Sequence, residues 1–459
     1  MKFKTINPAT EDAIAEYEIM PKDKVLNISE KSNSAFNEWK NLDVSERAGH
    51  FRKLAQILRD NKEKYSKIMT TEMGKPVRQS LAEVEKCAWT AEVYADNAGL
   101  WLEDEIVNAD GKKHFVEFRP LGTILSIMPW NFPFWQAFRF GIPTLIAGNV
   151  SILKHSNQVP QCALAIEDCF IRAGFPEYVF KAVITDHEAV ANLLKSDLIK
   201  GVSLTGSTAA GSRIAEIAGR NLKKVVLELG GSDPFIVLDD SDIEFAAKNA
   251  VSGRIFNSGQ SCIAAKRFIV ASGIAEKFSK KFAEYTEALV VGDPMDMKTD
   301  VGPLVNKEGL MQIEVQVQDA VSHGARVLCG GQRLGRKGYF YAPTVLANTK
   351  SNMKVVTEEV FGPVAPVIVF GSEEEAIKIA NNSEYGLGAS IWTKDEATGL
   401  EIAKKLEVGD VFINSIVKSD PRMPFGGVKK SGIGRELSKY GLKEFVNVKG
   451  VNVYGHNKK

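Results

Sequence analysis

The feature that most constrains this chain is an alternation of short apolar, β-branched runs with longer segments of helical pattern. Apolar runs at 123–128, 150–153, 179–184, 201–204 and 225–227 are separated by segments at 136–147, 160–173, 188–195 and 210–218. Strand and helix by turns predicts an α/β fold whose parallel sheet is covered on both faces. A second alternation follows Pro234, through 235–238, 243–251, 268–270, 275–289, 312–323 and 373–381, and predicts a second α/β lobe over residues 231–430. At 459 residues the chain is longer than one core supports, which agrees with two lobes.

Ahead of the first alternation, residues 22–102 are patterned as helices, with Phe51, Leu54, Ile57 and Leu58 at three- and four-residue spacing. Residues 114–119 and 445–454 alternate apolar with polar side chains as half-buried strands do. Such exposed strands invite pairing, so the chain is expected to form a homo-oligomer through them. With 58 basic and 57 acidic side chains the net charge of +1 offers no attraction to nucleic acid or to an anionic membrane, and the expected ligand is small. The five cysteines are scattered and lack Cys-x-x-Cys spacing, which predicts neither a disulfide framework nor a metal site. No apolar leader opens the sequence and no stretch approaches the roughly 20 apolar residues of a membrane helix, so a cytoplasmic location is expected.

Four stretches carry chemistry. Asn257-Ser258-Gly259-Gln260-Ser261-Cys262 presents one thiol among glycine and polar residues, whereas Cys162 and Cys169 are spaced like one face of a helix and Cys87 and Cys329 have no such setting. In Val225-Val226-Leu227-Glu228-Leu229-Gly230-Gly231 a single carboxylate interrupts an apolar strand. Burial raises a carboxylate's pKa toward the range a general base needs, and Glu228 is read as that base in preference to an ion-pair partner. Pro129-Trp130-Asn131-Phe132-Pro133 is a rigid turn whose Asn131 amide can donate to a developing oxyanion. Leu204-Thr205-Gly206-Ser207-Thr208-Ala209-Ala210-Gly211 runs from strand to helix, where backbone N–H groups attract phosphate; it is not a G-x-G-x-x-G fingerprint.

In order and along nearly the whole chain, these motifs resemble the aldehyde dehydrogenase superfamily. The match takes in Asn7-Pro8-Ala9-Thr10, the Pro129 to Pro133 turn, Lys154, Phe175-Pro176, Thr205-Gly206-Ser207, Glu228-Leu229-Gly230-Gly231, Gly259-Gln260-Ser261-Cys262, Glu358-Glu359-Val360-Phe361-Gly362-Pro363, Pro424-Phe425-Gly426-Gly427 and Ser431-Gly432. The resemblance implies a Rossmann-like cofactor lobe (1–108 and 122–230), a catalytic lobe (231–430) and a bridging β element for dimers or tetramers (109–121 and 431–459). It implies that Cys262 attacks an aldehyde, that Asn131 and the Cys262 N–H hold the oxyanion, that hydride passes to NAD(P)+, and that Glu228 activates the water that cleaves the thioester. By the same likeness Trp130, Gly206, Ser207, Thr208 and Gly211 belong to the pyrophosphate site and Lys154 with Asn157 to the adenosine ribose. Leu229, Glu359 and Phe361 belong to the nicotinamide end. Asn157 stands where many NAD-preferring members carry a glutamate, so NADP is expected to be accepted; His155, where proline is common, is read as packing.

Residues 128–140 and 254–267 are most similar to succinate-semialdehyde dehydrogenases. That likeness gives Arg139 and Ser419 to a substrate carboxylate, a charge-assisted contact. A second arginine of some members is replaced by Phe256, with Arg422 as a candidate to compensate and other semialdehydes or simple aliphatic aldehydes as alternative substrates. Position 264 is Ala, so no neighbouring cysteine is available for a disulfide with Cys262. A non-catalytic protein on the same fold would be expected to have lost the thiol or the carboxylate, and this chain keeps both.

Overall fold

A computed structural model describes residues 2–455. Four helices, Lys22–Trp39, Val44–Asp60, Lys62–Met73 and Val77–Trp101, account for the helical region, and Phe51, Leu54 and Leu58 of the expected stripe are buried. They pack beside a six-stranded sheet in the order Gly432–Ile433, Lys224–Glu228, Ile199–Thr205, Thr123–Met128, Val150–His155, Phe180–Ala182. Its neighbours are parallel except Gly432–Ile433, which runs antiparallel to Lys224–Glu228. The chain enters at Thr123–Met128, winds out to Phe180–Ala182, then returns to Ile199–Thr205 on the other side of its starting strand. Such a reversal opens a crevice beyond the carboxyl ends of the two central strands, where open α/β sheets bind ligands. The turns that leave those ends are Pro129-Trp130-Asn131 and Gly206-Ser207-Thr208.

A seven-stranded sheet forms the second lobe, in the order Arg326–Cys329, Thr344–Ala347, Val364–Phe370, Ala265–Ala271, Asp233–Val237, Gly388–Trp392, Asp410–Ile413. Strands Asp233–Val237, Ala265–Ala271 and Gly388–Trp392 are buried at every position, as a sheet covered on both faces requires. Five of the seven, Arg326–Cys329, Thr344–Ala347, Val364–Phe370, Gly388–Trp392 and Asp410–Ile413, were not singled out from the sequence. Leu229-Gly230-Gly231 leads from the carboxyl end of one sheet to the amino end of the other, so the two lobes meet over opposite strand poles. A Cβ on Gly231 would lie 2.5 Å from the Cys262 carbonyl oxygen, which fixes how closely the two backbones approach.

Two strand assignments change. An amino-terminal hairpin, Lys2–Ile6 with Ala13–Glu18, has no counterpart in the sequence reading, because its charged, half-exposed pattern carries little periodic signal. The strand expected as an edge at 114–119 is instead central: Lys113–Pro120 pairs with Val446–Val453 on one side and with Glu105–Val107 on the other. The chain supplies both partners, and the edges left over are Val446–Val453, where Val448 is 61% exposed, and Glu105–Val107. Within 431–459, Gly432–Ile433 extends the first sheet, Phe445 packs edge-on to Phe140, and only Val446–Val453 lies in the three-stranded sheet. Residues 456–459 of that segment, and Met1, lie outside the described residues.

Candidate active site

Cys262 closes a turn between the helix Ile243–Ile255 and the strand Ala265–Ala271. Asn257 and Ser258 hold left-handed backbone angles, φ 54 and 55, a conformation that non-glycine residues keep only when their surroundings impose it. Here the surroundings do. The Asn257 N–H donates to Gln79 Oε1 at 2.8 Å, its Nδ2 donates to the Asn131 carbonyl at 2.7 Å, and Gln260 Oε1 accepts the Val305 N–H at 2.9 Å. The Lys266 ammonium donates to the carbonyls of Ser261 and Cys262 at 2.9 and 2.7 Å. A side chain on Gly259 would strike the Gly362 carbonyl. The result is one half-buried thiol in a fixed place, while Cys87, Cys162, Cys169 and Cys329 are buried.

Burial pushes the Cys262 thiol up to about 12, with Arg139 and Lys266 opposing, so at rest it is protonated and needs a base. Glu228, 1% exposed at the end of Lys224–Glu228, has no hydrogen-bond partner on either oxygen among the described residues. Burial raises its pKa well above the usual carboxylate range, the charge of Glu436 adds to this, and Arg139 works against it. Its carboxyl fits only because Gly426 passes beside it; a Cβ there would lie 2.7 Å from Glu228 Oε1. Glu228 lines neither cavity beside the sulfur, so its carboxyl has to turn toward Cys262 to act there.

Asn131 donates one Nδ2 proton to the Gln260 carbonyl at 3.1 Å, which leaves its second N–H available. The Cys262 N–H has no acceptor among the described residues. Two unused donors therefore stand beside the thiol. The Asn131 turn is anchored by Glu83, which accepts the Phe134 and Trp135 N–H groups at 3.0 and 2.9 Å and pairs with the buried Lys75. Neither residue stood out in the sequence, since both belong to a region patterned simply as helix.

Two spaces open from Cys262. One, of about 650 Å³, is lined by Trp130, Asn131, Gly206, Ser207, Leu229, Glu359 and Phe361. Trp130 and Phe361 meet edge to face at 5.7 Å, and Glu359 accepts the Gly231 N–H at 3.0 Å while lying 3.7 Å from Lys266. Ser207 caps the helix Thr208–Arg220 by accepting the Ala210 N–H at 3.3 Å, and Thr208 donates to the Lys430 carbonyl at 3.4 Å. Gly211 lets that helix close on Leu229, whose Cδ2 would lie 2.5 Å from an added Cβ. A neighbouring groove with about 1780 Å³ of open space is lined by Lys154, His187 and Arg213, and Lys154 donates to Asn157 Oδ1 at 3.3 Å. Helix-start N–H groups, glycines that leave backbone accessible and three cationic or protonatable side chains are a donor set that fits a dinucleotide. His155 faces elsewhere: its Nε2 meets the Pro133 carbonyl at 2.9 Å and burial pushes it down to about 4, so it is neutral packing.

The other space, of about 950 Å³, is walled by Trp135, Phe256, Ile416 and Phe425 and reached by Arg139 and Ser419. Arg139 does not enter it free. It pairs with the buried Glu436, donates to Thr205 Oγ1 at 3.2 Å and lies 4.9 Å over the Phe425 ring. Phe256 stacks on Phe132 at 5.6 Å. Arg422 does not compensate for it: both of its ends grip Asp420, at 2.9 and 2.7 Å, and it does not line the space. Lys86, overlooked in the sequence, does, with its ammonium 2.7 Å from Ser419 Oγ. Among the described residues no group of three or more His, Cys, Asp or Glu could hold a metal ion, and no helix is long and apolar enough to cross a membrane.

The sequence profile described as the aldehyde dehydrogenase family matches residues 1–451. The chain belongs to that family. This aldehyde dehydrogenase is 46% identical over 451 residues to a probable NADP(+) succinate-semialdehyde dehydrogenase of Synechocystis sp., covering 98% of this chain and 99% of the relative. It is 44% identical to succinate-semialdehyde dehydrogenase (NADP(+)) 1 of Mycobacterium tuberculosis, again over 98% of this chain and 99% of the other. A solved structure of succinic semialdehyde dehydrogenase from Streptococcus pyogenes, in complex with NADP+, superposes with a TM-score of 0.96 at 35% identity, covering 99% of this chain and 100% of that one. The α/β architecture expected from the strand and helix alternation is the fold of this family.

Proposed function

We propose that this enzyme oxidises succinate semialdehyde to succinate with NADP+ as the acceptor. The observation that carries the reading is a single thiol standing between two spaces of different chemistry: one bounded by a helix start, an indole and a carboxylate, the other apolar but reached by cations and a hydroxyl. The relatives named above support the substrate and the cofactor. Asn157 beside Lys154 supports NADP+, since an amide does not repel a 2′-phosphate, and His187 and Arg213 add positive character to the same groove.

The chemistry follows from the residues. The Cys262 thiol, protonated at rest, gives its proton to Glu228 as sulfur bonds to the aldehyde carbon. The second Asn131 N–H and the Cys262 N–H receive the oxygen that becomes negative, held by turns that do not reorganise during the step. A nicotinamide held among Trp130, Leu229, Glu359 and Phe361 would supply the acceptor for the hydride that the thiohemiacetal on Cys262 gives up in becoming a thioester. Glu228, having given up the first proton to solvent, then takes a proton from water as its oxygen attacks the thioester carbon, the carbon–sulfur bond breaks, the departing thiolate recovers that proton from Glu228, and the acid departs. One carboxyl serves both steps, and its pKa, raised by burial and by the charge of Glu436, makes it a stronger base than an ordinary carboxylate.

Absorbance of the reduced nicotinamide, followed with the purified chain, tests the reading. Succinate semialdehyde should exceed butanal in kcat/KM by at least about tenfold, as one charge-assisted contact allows, and NADP+ should exceed NAD+. Equal rates for the two aldehydes would discard the carboxylated substrate and leave an aliphatic aldehyde dehydrogenase. The bare edge of Val446–Val453 supports assembly into dimers or tetramers through that strand, which light scattering of the purified chain would reveal as a mass above that of one chain.

A further inference from the structure

We propose that Lys86, with the hydroxyl of Ser419, forms the charged seat for the distal carboxylate of the substrate, in place of the second arginine that Phe256 displaces. This rests on the carboxylated-aldehyde reading above. Lys86 projects from the helix Val77–Trp101 into the same space as Cys262, with its ammonium 4.1 Å from the centre of the Trp135 ring and 2.7 Å from Ser419 Oγ. An ammonium carries three N–H donors, and one is taken by Ser419. Because Ser419 accepts that bond, its own hydroxyl proton is left to donate. Lysine and serine together offer two donors to the two oxygens of a carboxylate.

Among the described residues no carboxylate pairs with Lys86. Glu83 is engaged by Lys75 and by the Phe134 and Trp135 N–H groups, and Asp420 is gripped by Arg422. Arg139, the residue the family resemblance points to, is already paired with Glu436. Lys418 also borders the space but is exposed, where water screens it. A half-buried cation in an apolar cavity is poorly solvated, and an entering carboxylate supplies what it lacks. Burial and the neighbouring Arg139 push Lys86 down to about 8, against the opposing charges of Glu83 and Asp420 and of Cys87 when ionised. The charged form is therefore present below about 8 and lost as pH rises through it.

The test compares succinate semialdehyde with butanal in the wild-type enzyme, Lys86→Met and Lys86→Arg. Lys86→Met should lower the ratio of the two kcat/KM values at least tenfold, mostly through the KM of the carboxylated aldehyde, and Lys86→Arg should restore most of the ratio. In the wild type the same ratio should fall with rising pH near 8, and this readout serves even if Lys86→Met does not fold. A wild-type enzyme without preference for the carboxylated aldehyde would overturn the substrate reading itself. A wild-type preference that survives in Lys86→Met, or a pH-independent ratio, would overturn the role of Lys86 alone.

Discussion

The thiol turn at 257–262 and the cofactor turn at 205–211 lie on either side of one crevice, yet they are held in place by different means. The cofactor turn is largely local: a strand ends, Ser207 caps the helix three residues on, and Gly211 allows that helix to settle against Leu229. The thiol turn is held mostly from afar, by Gln79, Asn131, Val305 and the Gly362 backbone, with Lys266, four residues past Cys262, adding a local tie. A locally built site can be weakened only nearby. A site built by distant contacts positions a reacting atom against strain, and changes far away in sequence can disturb it.

Three substitutions break or sharpen this contrast. The largest effect is expected at the carboxyl that serves the thiol: Glu228→Gln should lower steady turnover by about 10² to 10⁴ and slow release of the first equivalent of reduced cofactor as well, seen by stopped-flow absorbance, because the same carboxyl takes part in both proton transfers. A first equivalent released at the wild-type rate would remove Glu228 from thiol activation, and an unchanged steady turnover would remove it from thioester hydrolysis. Lys266→Met, which unties the Ser261 and Cys262 carbonyls, should lower kcat by about ten- to a hundredfold, since displacements near 1 Å cost that much. Alkylation of Cys262 by iodoacetamide should change rate in parallel; a wild-type kcat would mean that the distant contacts hold the turn without this local tie. The smallest effect is expected at Ser207→Ala, which removes a helix cap worth about 1 kcal/mol and should raise the KM for NADP+ severalfold. A larger loss in kcat than in KM would show that the cofactor turn, too, is coupled to the thiol.

The two regions also differ in how far they could be read without coordinates. The alternating runs at 123–128 through 225–227 became strands within a few residues of their expected limits, because burial on both faces demands continuous apolar sequence. Cys262, Glu228, Asn131 and the Gly206 to Gly211 turn each carry a local signal, a polar or reactive group where its neighbours are apolar or glycine. Lys86, Lys75, Glu83 and Lys266 carry none: a lysine on a helix or beside a strand looks alike whether it meets water or a cavity. Residues 114–119 failed as an edge for a related reason, since a strand's partners are not encoded in its own alternation.

Sequence by itself determined the two α/β lobes, the candidate thiol and the carboxylate that interrupts an apolar strand, because periodicity and residue chemistry are properties of short stretches. Tertiary structure alone decided how cations reach the space beside Cys262: it tied Arg139 to Glu436 and aimed Lys86 at Ser419. The physical reason is that the electrostatic worth of a charge depends on what shares its burial, and those neighbours come from parts of the chain hundreds of residues apart.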